Sequence, residues 1–324
     1  MNVVAALAAA AVAFAAPAAA QGVSQQPPSP AAPTFHSGSA LVALNVTVQD
    51  RGAKFVQGLQ PGDFVVYEDG VKQNVEFFES TRVPVDLIVL LDTSASMRDK
   101  LDVVHDAASG FLDTLRPGDR GAVVTFATSV NVAQPLTADR SLLQTAIRNT
   151  RASGETCLNN AVYIALKEFG QAAQTDATVR RQAIVVLSDG ADTASLVGFE
   201  DVVNLARQMG VSIYTVSLQA RPDAPRMVLQ HQDEADYAMK TLAKETGAQS
   251  FFPTAAALKT VYGSIAAELA NQYSIGYVPA SGALDGRFHR VNVQVVTRPQ
   301  LFSRTRLGYI AVAVSALRPM VSGR

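Results

Sequence analysis

Val85-Asp86-Leu87-Ile88-Val89-Leu90-Leu91-Asp92-Thr93-Ser94-Ala95-Ser96-Met97 is the stretch that decides how this chain folds. A run of apolar residues reads as a strand buried on both faces. It stops abruptly at an acid, and two hydroxyls follow at two-residue spacing. Asp92, Ser94 and Ser96 offer oxygen only, with no nitrogen or thiolate among them. Oxygen donors suit Mg²⁺, Ca²⁺ or Mn²⁺ and not zinc or copper.

From about Pro84 the pattern alternates between strands and helices. A helix is expected from about Asp99 to Leu115, then short strands at Val123–Phe126 and Val130–Val132. Further helices are expected over Asp139–Asn149 and Leu158–Phe169, before a second apolar run, Ala183–Leu187, that ends at Ser188-Asp189-Gly190. Phe199–Met209, Ala235–Glu245 and Ala255–Asn271 read as later helices, and Val211–Val216 and Gln249–Phe252 as strands. Such alternation implies an α/β domain: a doubly wound, mostly parallel sheet covered on both faces.

The flanks read differently. Val42, Leu44, Val46 and Val48 alternate with Ala43, Asn45, Thr47 and Gln49, which marks a half-buried strand. Asp69-Gly70 between Phe64–Tyr67 and Val75–Phe78 is a hairpin signal. Past Ala270 the period of two returns in Tyr273, Ile275 and Tyr277 and again in Val291, Val293 and Val295, with a final strand expected at Arg304–Tyr309. Each flank is short for an independent core. Either the two pack together as one antiparallel β unit, a small sandwich, or each extends the α/β domain separately. The expected division is 1–20 signal peptide, 21–39 Pro/Ser/Gln linker, 40–82 N-terminal β segment, 84–271 α/β domain, 272–310 C-terminal β segment and 311–324 tail.

The chain has 324 residues, 27 basic and 28 acidic, for a net charge of −1. That balance argues against an electrostatic grip on nucleic acid or anionic lipid. Arg298, Arg304 and Arg306 are read as a solvated strand face. The single cysteine, Cys157, permits no intrachain disulfide and reads as a small buried residue. The Ala/Val/Leu-rich stretch Val3–Ala16, Pro17 and Ala18-Ala19-Ala20 have the outline of a secretory signal. An exported, periplasmic or extracellular protein is therefore expected, with no stable transmembrane span.

Three separated segments resemble the metal-ion-dependent adhesion site of von Willebrand factor type A domains: Asp92-Thr93-Ser94-Ala95-Ser96, Ser153-Gly154-Glu155-Thr156 and Leu187-Ser188-Asp189-Gly190. The resemblance covers roughly Pro84 to Asn271. It implies a Rossmann-like fold and five coordinating side chains, Asp92, Ser94, Ser96, Thr156 and Asp189, around Mg²⁺, with Ca²⁺ or Mn²⁺ as alternatives. It also implies a protein ligand whose Glu or Asp carboxylate completes the coordination, and so binding and not catalysis. Glu155 departs from the family pattern, which usually has glycine there. Asp63–Gly70, Asn271–Tyr277 and Arg306–Tyr309 are similar to the exported bacterial group called von Willebrand factor A-related. Taken singly, Ser94 and Ser96 also read as helix caps, Thr156 as the cap of the helix near Leu158, and Asp189-Gly190 as a turn.

Two other functions compete. One is a scaffold subunit of an envelope complex whose metal site serves assembly. The other is a metal-dependent hydrolase. A strand ending in Asp-Thr-Ser is similar to the haloacid-dehalogenase phosphatases, but these place a second acid two residues on, where this chain has Ser94.

Overall fold

The computed structural model describes residues 41–80, 83–175, 180–219, 226–280 and 285–312. The expected signal peptide, the linker and most of the tail lie outside the described residues.

Four strands come first: β1 (Val42–Gln49), β2 (Phe64–Glu68), β3 (Val71–Gln73) and β4 (Val75–Glu79). The α/β body follows with β5 (Val85–Asp92), α1 (Leu101–Leu112), β6 (Arg120–Phe126), β7 (Val130–Thr137), α2 (Arg140–Arg148), α3 (Leu158–Thr175), β8 (Arg181–Ser188), α4 (Phe199–Met209), β9 (Ser212–Ser217), α5 (Arg226–Glu245), β10 (Ser250–Phe251) and α6 (Leu258–Ala270). Four more strands close the described chain: β11 (Tyr273–Tyr277), β12 (Phe288–Val295), β13 (Phe302–Arg304) and β14 (Gly308–Ile310).

The central sheet has the order β10-β9-β8-β5-β6-β7, parallel except for the β6/β7 hairpin. The apolar run of β5 is continuous because it feeds two cores. Val85, Leu87, Val89 and Leu91 pack with α1, α2 and α6 residues such as Phe111, Ile147 and Tyr262. Ile88 and Leu90 pack on the other face with Ala161, Phe169 and Val203 of α3 and α4. The one acid inside the run, Asp86, is 2% exposed and takes bonds from Arg120 (2.9 and 2.7 Å) and Arg180 (2.7 Å). A buried carboxylate needs such partners to stay charged.

Two further sheets are antiparallel, β13-β1-β11-β4 and β14-β12-β2-β3. Each mixes strands from both flanks: Val42 of β1 pairs with Tyr277 of β11, and Val66 of β2 with Val293 of β12. Between them lies a third core of Val42, Leu44, Val46, Val48, Phe64, Val66, Ile275, Val291 and Val293. The alternation read in β1 and β12 therefore marks the faces these sheets turn toward each other.

The outer face of β1 meets the α/β body. Glu268 of α6 is 1% exposed. Its Oε1 accepts the hydroxyls of Thr47 (3.2 Å) and Tyr214 (2.9 Å), and its Oε2 accepts from Arg304 Nη2 (2.6 Å). Arg304 and Arg306 are thus not a solvated face. Arg304 closes this buried cluster, and Arg306 donates to the carbonyl of Ala43 at 2.9 Å.

Several boundaries differ from the sequence expectation. The helix expected from Asp99 is a 3-10 turn over Ala95–Lys100 followed by α1. The helix expected from Ala235 begins at Arg226. The single strand expected at Arg304–Tyr309 is two, β13 and β14, in different sheets; the chain crosses between them through Thr305–Leu307.

Candidate metal centre

The central sheet reverses direction at β5. The chain runs from β5 outward to β6 and β7, then returns to the other side of β5 as β8. Loops leaving β5 and β8 diverge there and open a crevice at the carboxyl ends of the strands. Asp92 ends β5, and Asp189 follows the last residue of β8.

Asp92 is fully buried. Its Oδ1 accepts the backbone N–H of Ser94 (2.8 Å) and its Oδ2 the hydroxyl of Ser188 (2.5 Å). Burial pushes its carboxyl up to about 6; the bonds from Ser188 and Ser94 oppose that rise, and the nearby Asp189 charge adds to it. Among the described residues Asp92 has no basic partner.

Ser94 stands at the N-terminus of the 3-10 turn, yet its side chain makes no capping bond. Its Oγ lies 3.0 Å from Ser96 Oγ, and Ser96 donates to Asp189 Oδ1 at 2.7 Å. Ser94, Ser96 and Asp189 thus form a continuous line of oxygen atoms. Lys100 reaches back from the end of the same turn, with Nζ 2.5 Å from Asp189 Oδ2.

Thr156 is buried, in a loop fastened to the first one. Ala95 N–H donates to the Gly154 carbonyl (3.0 Å), and Ser153 N–H to the Thr93 carbonyl (2.8 Å). Gly154 has φ +80, and a Cβ there would lie 2.3 Å from Thr128 Oγ1. Only glycine fits both the conformation and the space. Thr156 N–H donates to Thr193 Oγ1 at 3.2 Å, and its side chain bonds none of the other four candidate residues. The cap expected from it at α3 comes from elsewhere: Asp192 Oδ2 takes Asn159 N–H (2.7 Å) and Ser195 Oγ takes Asn160 N–H (3.0 Å). Glu155 points outward and is exposed, while Cys157 is fully buried.

The structure therefore joins Asp92 to Ser94 through the backbone, and Ser94, Ser96 and Asp189 through their side chains. Thr156 sits on a separate loop, bonded to Thr193 and Ala194 and to none of the other four. Sequence reasoning missed two residues. Ser188 stood beside Asp189 in the segment that drew attention, and its position at a strand end was the available signal. Lys100 carried none, because its partner lies 89 positions away. Two acids and a line of hydroxyls form an all-oxygen donor set, and among the described residues the buried Asp92 has no basic partner. That set fits a hard divalent cation and does not fit a soft one.

Residues 87–191 match the family model of the von Willebrand factor type A domain. An uncharacterized protein of Borreliella burgdorferi is 24% identical over 143 residues, covering 41% of this chain and 40% of its own. A UPF0353 protein of Nocardia farcinica is 29% identical over 153 residues, covering 40% and 44%. The chain thus spans well under half the length of these curated relatives. Among solved structures, the von Willebrand factor type A protein from Catenulispora acidiphila aligns at 14% identity with a TM-score of 0.48, over 90% of this chain and 78% of that one.

Proposed function

This chain carries a von Willebrand factor type A domain, and on that premise we propose that it is an exported, metal-dependent protein-binding module. Asp92, Ser94, Ser96, Thr156 and Asp189 would hold a divalent cation, Mg²⁺ in first place and Ca²⁺ or Mn²⁺ otherwise. When bound, the ion supplies an electrophilic position for a Glu or Asp carboxylate of a partner protein. The observation that carries this reading is the buried Asp92 carboxylate, without a basic partner, at the point where the sheet reverses.

The chain's own residues prepare that position. Ser188 and the Ser94 N–H fix the orientation of Asp92. The Ser94–Ser96–Asp189 line holds neutral oxygens beside the acids, so a bound dication would meet two carboxylates and leave little charge to spare. A binding role fits the side chains better than hydrolysis, since Ser94 stands where a phosphatase of similar sequence needs a second acid. Export to the periplasm or outside the cell, and the division into leader, linker, α/β domain and flanking β segments given above, belong to the same proposal. Among the described residues no helix is long and apolar enough to cross a membrane.

The test is Mg²⁺ titration by calorimetry on wild type and Asp92→Ala, paired with co-purification of partners with and without EDTA. Mg²⁺ uptake and partner capture that both vanish in Asp92→Ala and in chelator are expected. Partner affinity indifferent to EDTA would reject the proposal.

A further inference from the structure

The flanking sheets contain a second cluster of chemistry that the crevice does not use. β2 and β12 run antiparallel with Glu68 opposite Val291, so Glu68 and His289 fall on the same inward face. That face is otherwise apolar, made of Phe64, Val66, Val291, Val293 and Val295. Glu68 is 4% exposed and His289 9%. Placing an acid and an imidazole on a core face is costly unless something compensates them.

The compensation visible among protein groups is incomplete. Tyr277 and Tyr309 both donate to Glu68 Oε2, at 2.6 and 2.9 Å. The other oxygen, Oε1, has His289 Nδ1 at 3.9 Å, beyond hydrogen-bond length. The same Nδ1 lies 2.8 Å from Asp69 Oδ2, and His289 Nε2 lies 3.1 Å from Asp285 Oδ1. Three carboxyl groups thus surround one imidazole, which has only two ring nitrogens to offer them. The nearby guanidiniums do not close that gap. Arg287 stands 3.9 Å from Asp285 with its side chain 84% exposed, and Arg306 lies over the Tyr309 ring.

We propose that Glu68, Asp69 and His289 form a second divalent-cation site, of the zinc class, at the end of the outer sheet. One ligand atom from each lies within 4.8 Å of the other two. Ligand atoms around tetrahedral zinc sit roughly 3.3 Å apart, so closing the site asks for shifts of about an ångström. An imidazole nitrogen among the donors selects zinc or its transition-metal neighbours over Mg²⁺. The surroundings match what such a site requires beyond its ligands. His289 Nε2 lies against the Asp285 carboxylate, which would hold that ring N–H in place while Nδ1 exchanged its hydrogen bond to Asp69 for the metal. Two tyrosine hydroxyls orient Glu68, and the Arg290 backbone N–H holds Asp69 Oδ1 at 2.8 Å. With three protein ligands the fourth position stays open to water or an outside donor. The site shares no residue with the Asp92 crevice and does not depend on the reading given to it.

Calorimetry with ZnCl₂, and Co²⁺ absorption spectra, on the metal-stripped full chain test this. Asp92→Ala should still bind one Zn²⁺ per chain, show Co²⁺ ligand-field bands, and melt at higher temperature with zinc than with EDTA. His289→Gln should lose at least tenfold in zinc affinity. Asp69→Asn should do the same while keeping its fold, since asparagine tolerates the left-handed turn and the side chain is half exposed. Asp285→Asn should weaken binding by about 10–100-fold. Equal zinc affinity in wild type, His289→Gln and Asp69→Asn would overturn the proposal, as would an Asp92→Ala chain that takes up none. Mg²⁺ uptake by the His289→Gln chain reports on the crevice alone, so the two sites fail separately.

Discussion

Glu268→Gln is the sharpest probe of how the flanking sheets are held to the α/β body. The carboxylate bonds three elements at once: β1 through Thr47, β9 through Tyr214 and β13 through Arg304. Glutamine keeps the size and one acceptor oxygen, so it can still take the two hydroxyls. Its amide then faces the Arg304 guanidinium, donor against donor. The lost bond is charge-assisted and worth about 1.5–3 kcal/mol. The Arg304 side chain is 31% exposed, and water re-solvates part of it, which discounts the upper end. About 2 kcal/mol remains, which lowers Tm by roughly 4–8 °C in a domain of this size. Urea unfolding followed by far-UV circular dichroism measures the first figure and scanning calorimetry the second. A Thr47→Val partner in a double-mutant cycle should couple to Glu268, since the two touch. If Glu268→Gln loses less than about 0.5 kcal/mol, the ordinary range for an uninvolved surface site, the cluster does not hold the sheets and the reasoning fails.

Three other outcomes are expected. Lys100→Met removes the ammonium from Asp189 and should tighten Mg²⁺ binding about fivefold, the scale of a part-exposed ion pair; unchanged or weaker affinity by calorimetry would count against competition between Lys100 and the metal. Gly154→Ala meets both the φ of +80 and the Thr128 contact, so it should shift the loop carrying Thr156 and weaken Mg²⁺ at least tenfold, while leaving the zinc response of His289 intact. Burial holds the His105 imidazole below its ordinary 6.5, against the pull of Asp102 and Asp106; the unfolded chain then binds the proton more readily, so stability is full above pH 6.5 and declines as pH falls through that window. Chemical denaturation across this range should show a flatter slope in His105→Gln, and an identical slope would refute the assignment.

Much of the α/β body was legible because its signals are local. The β5 run and Asp92 sit in one window of sequence, and the direct order of strands and helices leads to the reversal that brings β8 beside β5. Asp69-Gly70 is the hairpin turn, with φ of 49 and 84, but the returning strand is Val71–Gln73; Val75–Phe78, expected as the partner of Phe64–Tyr67, pairs with β11 in the other outer sheet. What stayed hidden depends on partners far along the chain. Period-two alternation says which way Val42 faces, and cannot say that its neighbour is Tyr277. Arg304 looked like a surface charge because Glu268 is invisible from its own neighbourhood. Thr156 sat where a cap belongs, but Asp192 and Ser195 arrive from the loop after β8 and take that task. Arg304–Tyr309 looked like one strand, since nothing local marks the point where the chain leaves one sheet for the other.

The mixing of strands in the two outer sheets sets an order of events during synthesis. β1 leaves the ribosome early, yet both of its neighbours, β11 and β13, are made after the α/β body is complete. Its edges stay open for most of translation, a state that invites misassembly. The body can finish its own sheet first and then present α6 and β9 as a template, so that closing the sandwich waits on the delivery of β11 and β13.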